Sequence, residues 1–151
     1  MFLSIKKEKD SSNVGGGRVL FASFRAPNIV TYYEDIINRT EDLLSKYDIK
    51  KYLGDFNLAN ILIAHELFHY FEENEADKLY TQTLKIKVNP IPGLGMSRIN
   101  CLGEIGAMAF AKELNHLKYS PYIFDLVIMY SFNQQIASNL YDKVLILAGK
   151  K

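Results

Sequence analysis

Apolar positions in the first part of this chain sit in short runs of β-branched and aromatic residues, and after residue 34 they recur at helical spacing. Residues 18–24, RVLFASF, and 28–33, NIVTYY, predict two strands. The RAP between them predicts a turn or bulge. Over residues 34–47 the period lengthens. Ile36, Ile37, Leu43 and Leu44 fall at helical spacing, with Glu34 and Asp35 in the first turn. Gly54 is placed to end that helical region.

Residues 57–79 predict a long helix that Asp55 or Asn57 can cap. Leu58, Ile61, Leu62 and Phe68 lie on one side, and Ile63, Leu67, Tyr70 and Phe71 fill much of the rest. A helix apolar nearly all round is buried on more than one face. Residues 82–88 alternate and predict a strand or hairpin arm, followed by a turn-rich loop over 89–97. A second helix, rich in small residues, is expected over 99–117. Ser120 and Pro121 read as an N-cap and first helical position of a third helical run, with a break near Asn133. Strands first and helices afterwards predict an α+β domain.

Composition narrows this picture. A chain of 151 residues fits one domain over 1–151, with residues 1–17 partly flexible because DSSNVGGG reads as a loop. The net charge of +1 provides no global field for nucleic acid or an anionic membrane, and neither is an expected partner. Cys101 is the one cysteine, so an internal disulfide and a Cys-rich zinc site are excluded. The apolar start MFLSI is too short for a signal peptide or a membrane span, which makes a cytoplasmic location the expectation.

The candidate chemistry lies in HELFH, residues 65–69. Positions four apart on a helix differ by about 40° in direction, so the imidazoles of His65 and His69 can meet one metal ion. Glu66 is rotated by about 100° from His65. It stands beside the ion and can take a proton from water that the ion acidifies. The bland alternative is a pair of buried, hydrogen-bonded histidines on a core helix.

A catalytic zinc needs a third protein ligand and an open position. Glu72 is one turn beyond His69, where successive turns aim poorly at one ion, so a supporting or surface role suits it better. Glu104 is the better third ligand. It stands near the start of a separate helix among Gly103, Gly106, Ala107, Ala109 and Ala111, whose small side chains allow two helices to approach closely. The alternative is a packing helix with a surface glutamate.

HELFH followed downstream by Glu104, Ala107, Phe110, Ala111 and Leu114 resembles the gluzincin peptidases. In particular it resembles the ImmA/IrrE-type metallopeptidase family, with its HExxH and later E-x-x-A-x-x-F-A-x-x-L. The resemblance covers residues 57–117. It implies a zincin-like fold, in which a small twisted sheet packs on the HExxH helix, the Glu104 helix crosses below, and C-terminal helices complete the core. It further implies one Zn²⁺ held by His65, His69 and Glu104, and hydrolysis of a peptide or protein substrate with Glu66 as general base. By the same resemblance, NIVTYY is a candidate substrate-pairing edge strand, the alternative being an ordinary core strand. Gluzincins also supply an oxyanion stabiliser, for which Tyr70, Tyr119, Tyr122, Arg98 and His116 are open candidates. Cys101 reads as a buried thiol and His116 as a surface residue. The rival function is a non-catalytic zinc domain used in regulation or protein interaction.

Overall fold

Residues 29–33 are the centre of the sheet because side chains on both of their faces are covered. Val30, Thr31 and Tyr33 are all buried. This strand, β3 (Ile29–Tyr33), pairs in parallel with β1 (Ser4–Glu8) and antiparallel with β2 (Ala22–Arg25), giving the order β1-β3-β2. Ile5 and Phe24 both lie opposite Val30. The coordinates are a computed structural model that describes residues 2–10, 20–87, 96–99 and 101–150. The loop expected over 10–17 and the first two residues of the strand expected over 18–24 therefore lie outside the described residues, apart from Asp10. The RAP turn is present, with a cis Ala26–Pro27 bond.

One strand of the sheet was unforeseen, and one expectation about it is corrected. β1 was not anticipated, since every side chain on it is exposed and no alternation marks it. And β3 is no edge, because both of its hydrogen-bonding sides are taken. The outer strand on the helical side is β2.

Helix α1 (Glu34–Lys46) follows β3 directly and buries Ile36, Thr40 and Leu44; Thr40 Oγ1 donates to the Ile36 carbonyl at 2.8 Å. A single turn, α2 (Lys50–Leu53), ends at Gly54. The central helix α3 (Leu58–Asn74) is capped by Asn57, whose Oδ1 accepts the Asn60 N–H at 2.9 Å. It stops short of residue 79, in a turn over 75–78. The stretch expected as a strand over 82–88 divides into the helical turn α4 (Tyr80–Thr83) and β4 (Lys85–Lys87). β4 pairs antiparallel with β5 (Met96–Arg98); the loop residues 89–95 lie outside the described part.

Helix α5 (Cys101–Leu114) packs along α3 and ends before His116, which takes a left-handed φ of 53°. The expected break at Asn133 separates α6 (Tyr122–Phe132) from α7 (Gln134–Leu147). Asn133 is extended there, and its Oδ1 accepts the Ile136 N–H at 3.0 Å, so the residue that ends one helix caps the next.

The described residues form an α+β arrangement with a small mixed sheet, a short hairpin and seven helices. Its core joins Ile36 of α1, Leu58, Ile61 and Ala64 of α3, Ala111 of α5, and Phe124 and Ile128 of α6. Phe56 packs on Phe124 at a ring separation of 4.8 Å, closing the core beneath the start of α3. Among the described residues no helix is long and apolar enough to cross a membrane.

Candidate metal centre

The one-turn spacing of His65 and His69 on α3 brings their Nε2 atoms to 3.2 Å from each other. Helix α5 adds Glu104, with Oε2 3.2 Å from His65 Nε2 and Oε1 3.6 Å from His69 Nε2. One donor atom from each residue thus lies within 4.8 Å of the other two. Ligand atoms about 2.0–2.1 Å from a tetrahedral zinc stand about 3.3 Å apart, close to the separation of the two Nε2 atoms and to that of His65 Nε2 from Glu104 Oε2. The Glu104 side chain is 62% exposed, which leaves the shared point open on the solvent side.

Why α5 comes so close is written in its small residues. A methyl group on Gly106 would fall 2.6 Å from Phe68 Cζ, and one on Gly103 would fall 2.9 Å from Glu72 Oε2. Ala107 and Ala111 are fully buried, and Phe110 packs against the rings of Phe68 and Phe71.

Behind the histidines stands Glu72, which is buried and therefore not a surface residue. His69 Nδ1–H donates to Glu72 Oε2 at 2.9 Å, while Glu72 Oε1 accepts from Thr81 Oγ1 at 2.5 Å and Gln82 Nε2 at 3.0 Å. Burial pushes the Glu72 carboxyl up, but the hydrogen bonds from Thr81, His69 and Gln82 outweigh it and hold the group below its usual range. A carboxylate on Nδ1 fixes the His69 tautomer and turns the Nε2 lone pair toward the shared point. His65 is held below its ordinary pKa, first by burial and then by His69, against the pull of Glu104. A neutral imidazole is the form that binds metal. Its Nδ1 is buried without a hydrogen-bond partner among the described residues.

Glu66 lies beside this group and has a different environment. Burial pushes its carboxyl up to about 7, while His69 and a hydrogen bond from the Phe24 backbone N–H pull the other way. Outward groups alternate along a strand. Phe24 N–H therefore marks the side of β2 that faces α3, and Ala22 shares that side.

A cleft of about 440 Å³ connects these parts. Its walls are residues 20–24, the α3 residues His65, Glu66 and His69, the α5 residues Glu104 and Met108, and Pro121, Phe124 and Asp125. A larger apolar groove of about 600 Å³ lies between α1, α6 and α7, lined by Leu43, Tyr47, Tyr130 and Tyr141, away from the histidines.

The four residues singled out in the sequence, His65, Glu66, His69 and Glu104, are thus brought together. Cys101 is corrected: it is exposed, at the first position of α5. His116 is exposed as expected. Of the oxyanion candidates, Tyr70 packs edge-on against Phe24 at 6.0 Å, and the Tyr119 hydroxyl is buried without a partner among the described residues. Tyr122 feels the charges of Asp125 and Glu104, although burial is the main cause of its raised pKa. None of these three lines the cleft, and the Arg98 side chain lies outside the described part. Thr81, Gln82, Asp125 and the Phe24 N–H were not anticipated. They arrive from separate elements and carry no shared spacing with HELFH.

Comparison of the chain with family models, curated proteins and solved structures gives no match.

Proposed function

We propose that this domain is a zinc-dependent peptidase of zincin-like build that hydrolyses a peptide bond of a peptide or protein substrate. The observation that carries the reading is the convergence of His65, His69 and Glu104 from two helices, with one donor atom of each within 4.8 Å of the others and Glu66 beside them. The buried His69–Glu72 pair adds support, because a carboxylate behind a histidine is the usual backing of a metal ligand.

His65, His69 and Glu104 would hold the zinc, which would supply Lewis acidity to acidify water and polarise a carbonyl. Glu66 then takes the proton of the attacking water and delivers it to the leaving amine. Substrate in extended form would lie along the outward side of β2, with the Glu104 and Asp125 wall opposite. The resemblance to the ImmA/IrrE-type family fits the same reading. Ala107, Phe110 and Ala111 of its second motif form the face by which α5 reaches α3.

A second reading, a zinc-binding domain without catalysis, is favoured by one observation. Among the described residues, the cleft is lined by no tyrosine or arginine, and by no histidine beyond the two ligands, to stabilise an oxyanion. Elemental analysis separates the outcomes when paired with a peptide-library digest. About one zinc per chain with cleavage supports the peptidase, zinc without cleavage supports the binding domain, and no zinc after reconstitution overturns both.

A further inference from the structure

We propose that Asp125 selects the substrate, its carboxylate receiving a positively charged group next to the bond to be cut. This rests on the peptidase reading. Asp125 stands in the first turn of α6 on the cleft wall that holds Glu104. The other carboxylates of the cleft are engaged. Glu104 faces both histidines, and Glu66 accepts the Phe24 N–H. Asp125 makes no hydrogen bond or ion pair among the described residues, and no lysine or arginine among them lines the cleft.

A half-buried carboxylate with no partner costs stability, and such a group is retained at sites where a ligand completes it. Its place near a helix N-terminus does not account for it, because an exposed acid gains the same dipole interaction without the burial. The neighbouring walls are apolar, formed by Phe21, Leu62 and Met108. Such walls suit the methylene stem of a long cationic side chain whose head reaches the carboxylate. Two sources present this chemistry: a lysine or arginine side chain, and the free α-amino group of a substrate that begins in the cleft.

The test uses zinc-loaded protein and quenched fluorescent peptides with the same flanks. One set is N-acetylated and carries lysine, norleucine or glutamate at each position around the scissile bond. A second set carries norleucine with a free amino terminus. We expect lysine at one position to raise kcat/KM roughly tenfold or more over norleucine, as a charge-assisted contact supplies, and glutamate to lower it. Asp125→Asn should bring the lysine-to-norleucine ratio to about one, and Asp125→Glu should restore the preference. If the free amino terminus carries the preference instead, with the same response to Asp125→Asn, the α-amino group is the source.

Zinc-loaded Glu66→Gln protein gives a readout independent of turnover. Its fluorescence-anisotropy affinity for the acetylated lysine peptide should exceed that for norleucine, and the difference should vanish in the double variant with Asp125→Asn. Cleavage without charge preference, or a preference that survives Asp125→Asn, overturns the assignment alone. No cleavage of any peptide overturns the peptidase reading and this assignment with it.

Discussion

Gly103 and Glu72 meet so closely across α5 and α3 that a methyl group on Gly103 would stand 2.9 Å from Glu72 Oε2. Glu72 has little room to retreat, since Thr81 and Gln82 hold its other oxygen. The glycine therefore serves the candidate metal site one step removed. It lets α5 bring Glu104 to the histidines while Glu72 keeps its bond to His69.

Gly103→Ala should accordingly weaken zinc binding, by about 10–100-fold if the carboxylate behind His69 is displaced. Competition with a zinc-responsive dye measures this directly. Circular dichroism should show the helical content retained. An unchanged affinity would mean that Glu72 moves aside without consequence for His69.

Glu66→Gln keeps the size of the side chain and removes its ability to accept a proton. It should hold about one zinc per chain and lose hydrolysis by about 10²–10⁴-fold, the range general-base catalysis supplies. Parallel zinc analysis and kcat measurements decide it. Equal turnover in the two proteins would remove Glu66 from the mechanism.

Zinc binding should also appear as stability. At a free zinc concentration of about 100 times Kd, linkage adds about 2.7 kcal/mol, or about 5–10 °C in Tm for a chain of this size. Chelation should reverse the gain, and His65→Ala should abolish it. A melting temperature indifferent to zinc would contradict a site assembled from α3 and α5.

Asp125 sets a pH dependence of known sign. Burial, assisted by Glu104, raises its carboxyl to about 6 in the folded chain, against about 3.9 in an unfolded one. The folded state then binds this proton more tightly, so the group's contribution to stability is greatest at low pH and falls as pH rises from about 4 through 6. Asp125→Asn escapes that loss. In chelator-treated protein it should be more stable than wild type by about 2–3 kcal/mol at pH 7.5, with the gap closing toward pH 4. Urea melts at both pH values provide the comparison, and a gap that does not narrow on acidification would refute the burial argument.

The grouping of the candidate residues was legible in the sequence because their spacing is local. His65, Glu66 and His69 are ordered by one helix, and the small residues around Glu104 announce a helix that can approach another. The Asn133 break was legible for the same reason. What stayed hidden depends on partners distant in sequence. β1 has no buried face to impose a pattern, so only its pairing with β3 reveals it. NIVTYY looked equally suited to an edge or a centre, and strand order alone decides between them. Glu72 could not be placed until Thr81 and Gln82 folded over it from a short helix that the alternation of residues 82–88 disguised. Cys101 misled because its type favours burial, while it stands exposed at the first position of α5.

The donors on α3 and the donor on α5 are separated by a long excursion of chain through α4 and the β4–β5 hairpin. An ion shared by His69 and Glu104 would tie off that excursion as a cross-link, in a chain whose single cysteine cannot form one covalently. Closing a loop restricts the unfolded ensemble most when the loop is long. The same ion would thus act as a removable staple, holding together the two ends of that excursion.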